Sequence, residues 1–206
     1  MVRYTGPKNR IARRFESNIF GRARNPLLHK ANPPGQHGAK RKKKSDYGQQ
    51  LEEKQKLRAV YGMLPNSQIT RYYKEALRKE GNTAHIFIQR LESRLDNVVY
   101  RLKLAPTIFA AQQLVSHGHV LVNGKKVDRR SFEVLPGMTI SLKTKAQGLS
   151  VVKDSLDNTS RSVPDYMSND PATFSGQLLV KPMPEQIPFP LPLNIPLVCE
   201  HLAHTS

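Results

Sequence analysis

The sequence predicts an α+β protein: a basic extended N-terminal arm, an all-helical domain, and a small α+β unit in which a helix and a hairpin share a short antiparallel sheet. Three observations carry that expectation. Apolar residues recur at helical spacing between residues 45 and 102, the period changes to that of strands beyond Gly118, and residues 1–44 follow neither period. The expected boundaries are 1–44 for the arm, 45–92 for the helical domain with about 192–206 returning to complete it, and 93–191 for the α+β domain, whose helix-hairpin module spans about 94–153.

The arm mixes Pro, Gly, Asn and basic residues and ends in Lys40-Arg41-Lys42-Lys43-Lys44, a self-repelling run that predicts a segment ordered only once a polyanion neutralises it. It also holds Tyr4, Phe15, Ile19 and Phe20, more apolar surface than a charge tether needs. Ser45-Asp46 is a helix-capping pair, after which Tyr47, Leu51, Leu57 and Tyr61 fall in one arc. Pro65-Asn66-Ser67 starts a second helix with Ile69, Tyr72, Tyr73, Ala76 and Leu77 on one face. Arg71, Lys74 and Arg78 lie opposite, and Gly81 is its stop. A third helical region runs from about Thr83 to Leu102, carrying Phe87, Leu91, Leu95, Val98, Val99 and Leu102 on one side, with room for a break near Ser93.

Pro106-Thr107 opens a short helix with Ala110, Ala111, Leu114 and Val115, closed by Gly118. His119-Val120-Leu121-Val122 then reads as a strand. Asn123-Gly124 predicts a type I′ turn, whose two central residues both need positive φ, and Lys125-Lys126-Val127 begins the return. Val134-Leu135, a Pro136-Gly137 turn and residues 138–142 supply further strand material. Beyond Lys153 the chain is rich in Ser, Asn and Asp, with a strand expected at 177–180. Six prolines within 182–196 exclude a long helix there, and Ile195, Leu197 and Val198 are expected to dock onto an earlier helix.

Thirty-three Lys and Arg stand against sixteen Asp and Glu, a formal net charge of +17 in 206 residues. The charge is uneven: residues 1–49 hold 13 basic and 2 acidic side chains, residues 50–154 hold 18 and 9, and residues 155–206 hold 2 and 5. A polyanionic partner met by the first three quarters of the chain follows. Cys199 is the only cysteine, which rules out an intramolecular disulfide and a thiolate zinc site. The N-terminus lacks the apolar core of a signal peptide and no run of about eighteen apolar residues occurs, so a soluble protein of the cytoplasm, without a membrane partner, is expected.

Catalysis finds little support. His117 and His119 have no Asp, Glu or Cys within five residues to complete a metal site, Ser116-His117 lacks a nucleophile elbow, and no phosphate-cradling loop exists. No metal, cofactor or small-molecule substrate is expected. Neither a major-groove recognition helix nor an aromatic sheet for stacking bases is present, which leaves backbone contact with a folded RNA at a helical junction.

Residues 94–142 closely resemble the RNA-binding helix-hairpin module named after small-subunit ribosomal protein S-four, through RLDNVVYRL, QLVSHGHVLVNGKKV and VLPGMTISL in order and spacing. RYTGPKNRIARR, PPGQHGAKRKKKSDYGQQLEEKQKLRAVYG, RYYKEA and GNT extend the resemblance to the bacterial and organellar ribosomal protein family over nearly the whole chain. That resemblance implies a structural constituent of the small subunit. It would bind a multi-helix junction in the 5′ domain of the rRNA, nucleate assembly of the subunit body, touch neighbouring proteins S-five and S-three, line part of the mRNA path and influence decoding accuracy. Many members carry a zinc knuckle in the arm; residues 1–49 contain no cysteine, so zinc is not expected here. The chain also departs from the family pattern at Gln112, usually Arg, at Met138, usually acidic, and at Glu200-His201-Leu202.

The expected rRNA contacts are Arg3, Lys8, Arg10, Arg13, Arg14, His37, Lys40, Arg41, Lys42, Lys43 and Lys44 in the arm, and Arg58, Arg71, Lys74 and Arg78 on the helices. Gln113, His117, His119, Asn123, Lys125 and Lys126 would form the grip of the module. Two rivals remain. A free-standing RNA chaperone could use the same module, and Arg94-Leu95-Asp96 resembles the motif that carries the catalytic aspartate of pseudouridine synthases. In those enzymes, however, the module precedes a large catalytic domain, whereas only 64 residues follow Leu142 here.

Overall fold

A computed structural model describes residues 4–21, 25–40 and 43–205 of the chain. It divides into two compact units, one formed by residues 1–87 with 189–206 and the other by residues 88–188.

The first unit is helical. Its elements are α1 (Lys8–Arg14), α2 (Asp46–Val60), α3 (Asn66–Leu77), the first part of α4 (Thr83–Glu92) and the last helix of the chain, Ile195–Thr205. The arm is therefore not wholly aperiodic: α1 buries Ala12, and Ile19 and Phe20 are also buried. In α2 the Ser45 hydroxyl accepts from the Gly48 N–H at 3.2 Å, satisfying one open donor of the first turn. Leu57, Ile69, Tyr72, Tyr73, Ala76 and Phe87 build the core, with Tyr73 meeting Phe87 edge to face at 6.1 Å. Two side chains assigned to buried arcs lie outside. Leu77 is 53% exposed because it stands at the margin of the arc centred on Ile69. Tyr47 is 59% exposed because it lies in the first turn of α2, where the ring of His201 stands 5.2 Å away.

The terminal helix packs against α2 and α3 within this unit. It buries Ile195, Val198, His201 and Leu202, and the Asn194 N–H at its start donates to Glu53 at 2.8 Å. Beneath it Lys54 and His201, both buried, meet nitrogen to nitrogen at 2.8 Å. Burial, then the charge of Arg58, lowers the pKa of Lys54; burial, then Lys54 and His204, lowers that of His201.

The second unit holds the end of α4, α5 (Leu95–Arg101), α6 (Ile108–Ser116), β1 (Val120–Val122), β2 (Lys125–Lys126), β3 (Thr139–Leu142), α7 (Thr144–Gln147), α8 (Ser150–Asp157), β4 (Met167–Asp170) and β5 (Ser175–Leu178). The terminal helix is thus α9. The strands form one antiparallel sheet in the order β2-β1-β3-β5-β4. An α+β fold is what results. Gly176 sits where a Cβ would come within 2.6 Å of both the Ser168 carbonyl oxygen and a Leu102 methyl, so glycine lets β4 and α5 close on β5.

The long helical run breaks at Ser93-Arg94. Arg94 is extended, the Ser93 hydroxyl donates back to the Gln89 carbonyl, and the freed backbone pairs with residues 130–134 instead: Leu95 N–H to Phe132, Asp96 N–H to Arg130, and Val134 N–H to Ser93. Residue 134 is accordingly held by this bridge and lies outside the sheet. Glu92 is fully buried beside the break. Arg101 grips it with two N–H groups at 2.9 and 3.2 Å, Asn97 donates at 2.6 Å and the Tyr166 hydroxyl at 3.2 Å. Burial first, then the Glu92 charge, pushes the Tyr166 hydroxyl well above its ordinary pKa, keeping it a donor.

Candidate nucleic-acid interface

The grip of the module is built on α6. Thr107 caps it, accepting from the Ala110 N–H at 3.2 Å. At the other end His117 is the last cap and Gly118 turns left-handed at φ 69°, so that the Gly118 N–H reaches the Val115 carbonyl and the His119 N–H the Leu114 carbonyl. That is a Schellman closure, which glycine suits for want of a Cβ. The same glycine has a second use. A Cβ at 118 would overlap the Lys126 Cε, so the aliphatic stem of Lys126 lies across the helix end between the two histidines in sequence. A cation held over the carbonyl end of a helix is favoured there.

The hairpin forms the other half. Asn123 and Gly124 have φ of 47° and 77°, as the type I′ turn requires, and the register pairs Leu121 with Lys126 and Val122 with Lys125. Val120 and Val122 point into the core, leaving Lys125 and Lys126 exposed on the return. Asn123 spends its side-chain oxygen on the Thr139 N–H at 2.9 Å, fixing the turn to β3. His117 and His119 present rings 6.2 Å apart, and Gln113 is exposed one turn earlier on α6.

Two further cations adjoin this group. The Lys143 N–H donates to the His119 carbonyl at 2.9 Å, which places the Lys143 backbone at His119, and the exposed Lys145 follows two residues on in α7. The Lys-Thr-Lys that follows the last apolar residue of β3 was the signal for them, but strand pairing with β1 was needed to place it. Gln112, by contrast, is buried. Its amide donates to Asp96 at 3.4 Å and accepts from Arg130 at 3.2 Å, so it serves the interior.

In the helical unit, Arg71, Lys74 and Arg78 project from the exposed side of α3, with Arg71 3.5 Å from Glu75 and its guanidinium over the Tyr72 ring. Arg58 is differently placed. Half-buried, it donates to the Leu64 carbonyl at 2.9 Å and to Gln55 at 2.8 Å, tying the end of α2 to the following loop, and burial lowers its pKa. In the arm, Arg10, Arg14, His37, Lys40 and Lys43 are exposed, Lys8 is half-buried, and Lys44 pairs with Glu52. Arg13 is turned back onto the arm itself. Arg3, Arg41 and Lys42 lie outside the described residues.

Asp96, the carboxylate of the Arg-Leu-Asp motif, is 1% exposed. Arg94 clasps it with two hydrogen bonds of 2.8 and 3.0 Å, and the Asn97 N–H donates to it as well. The carboxylate is enclosed and committed to Arg94, so it presents no accessible surface to a base. Among the described residues no three His, Cys, Asp or Glu side chains gather as a metal site, and no helix is long and apolar enough to cross a membrane.

Comparison with known proteins agrees with this geometry. The family described as "Ribosomal protein S4/S9 N-terminal domain" matches residues 3–92, and the "S4 domain" matches residues 93–140, which contain both the break and the grip. The chain is 65% identical to the small ribosomal subunit protein uS4 of Protochlamydia amoebophila over the full length of both. It is 63% identical to that of Chlamydia muridarum and 60% to that of Chlamydia pneumoniae, again over all of each chain. With two family descriptions spanning its first two thirds and relatives matched from end to end, the chain belongs to the uS4 family of small ribosomal subunit proteins.

Proposed function

We propose that the chain is a structural, non-catalytic constituent of the small ribosomal subunit, and that it binds a multi-helix junction in the 5′ domain of the small-subunit rRNA. The observation that carries the RNA reading is the grip: Lys125 and Lys126 on the return strand of the hairpin and His117 and His119 at the end of α6, on a backbone fixed by turn, cap and sheet register. Preorganised cations lose little entropy when phosphates arrive. Binding there would draw rRNA helices together early and so nucleate assembly of the subunit body. In the assembled subunit the chain would touch neighbouring proteins S-five and S-three, border the mRNA path and influence decoding accuracy in the cytoplasmic ribosome. The buried, arginine-clasped Asp96 supports the absence of uridine isomerisation.

A competition titration tests this. The purified protein is titrated against the 5′ domain of small-subunit rRNA at several salt concentrations, with excess transfer RNA as competitor. Saturable binding at one site that survives the competitor is expected. Equal displacement by transfer RNA at every salt would leave general polyanion binding and favour the chaperone reading.

A further inference from the structure

Arg13 turns its cationic group back onto the arm. Its Nε donates to the carbonyls of Lys30 at 3.1 Å and Asn32 at 3.0 Å, while one terminal nitrogen donates to Asn32 at 2.7 Å and to Pro33 at 3.4 Å. Three carbonyls within four residues on one planar guanidinium form a clasp that an ammonium cannot reproduce, since the rigid fork fixes several donors at once. Residues 30–32 and 35–37 are exposed, so the clasp acts on a segment at the surface. A second close approach lies on its far side: a Cβ at Gly38 would overlap the Pro33 carbonyl oxygen, and Gly38 N–H and Lys40 N–H close short turns onto Gly35 and His37. The loop therefore doubles back on the carbonyl that Arg13 also holds, and His37 and Lys40 are presented from its end.

We infer that Arg13 is a positioning residue: it spends its guanidinium on ordering residues 30–33, so that His37 and Lys40 meet RNA as a fixed pair, and it is not itself a phosphate contact. This rests on the rRNA-binding reading above. The arm is then partly assembled before RNA arrives, and part of the ordering entropy is removed from the binding step.

The test compares the full-length chain with Arg13→Lys and Arg13→Ala. On the protein without RNA, amide hydrogen exchange at Gly38 and Lys40 should quicken by about tenfold in both variants while α2 and α3 keep their protection. Against the rRNA 5′ domain, both variants should lose roughly tenfold in affinity with the salt slope unchanged, because no phosphate contact has gone. The inference is overturned if Arg13→Lys exchanges and binds like the parent while Arg13→Ala lowers the slope by about 0.7–0.9. Parent binding displaced by transfer RNA would overturn the rRNA reading alone, since exchange on the free chain decides the clasp.

Discussion

At the scale of the residue, the buried charges are the most exacting part of the molecule. Glu92 receives five donated hydrogen bonds, from Arg101, Asn97 and Tyr166, counting one that reaches its backbone carbonyl, and Arg101 extends the network to the Pro188 carbonyl at 2.8 Å. Removing the carboxylate strands a guanidinium in the interior. Glu92→Ala should lower stability by about 3–5 kcal/mol, read from urea unfolding of the whole chain. At the surface the arithmetic is different. Lys125→Ala with Lys126→Ala should leave stability nearly unchanged but lower the salt slope of rRNA binding by about 1.4–1.8, since each phosphate contact contributes about 0.7–0.9. An unchanged slope would remove the hairpin from the interface. Gly118→Ala joins the two regimes: the left-handed cap costs about 1–2 kcal/mol, and Lys126 loses its seat over the helix end, so both stability and affinity should fall.

Among elements, α9 depends on a pair of basic side chains. His201 has its pKa lowered in the folded state, so the unfolded chain binds more protons as the pH drops below about 6.5. The stability associated with neutral His201 is present above that pH and is lost as the pH falls through the folded value. Burial first, then Lys54 and His204, oppose its protonation, and the Tyr47 ring lies 5.2 Å from its own. Thermal unfolding should therefore show a larger loss between pH 7.5 and 5.5 for the parent than for His201→Gln, which keeps an acceptor for Lys54 but does not titrate. The elements that could be read in the sequence were those with a full turn or more of consistent spacing, as with Ile69, Tyr72, Tyr73 and Ala76 in α3, or with obligatory turn chemistry, as at Asn123-Gly124. Those that could not are short and set by partners: α1 buries a single alanine, α8 only Val152 and Ser155, and β4 exists because β5 is there to pair with it. The candidate cations were visible as letters, yet nothing in their order distinguishes Arg13 or Arg58, spent on carbonyls, from Lys125 and Lys126, held outward. That difference is made by distant backbone, which composition does not encode.

Over the whole molecule, the charge gradient cuts across the division into two units. The surplus of basic residues lies in the first three quarters of the chain, and the acidic remainder includes β4, β5 and α9. The two units become complete at different times during translation. The unit formed by residues 88–188 is contiguous, whereas the helical unit needs residues 189–206, which are synthesised after it. During translation the grip can fold while α2 and α3 still wait for α9, reversing the usual order in which the N-terminal part matures first. A nascent chain halted before α9 would thus hold a finished second unit while the helical one stayed open, and α9 would act as its clasp.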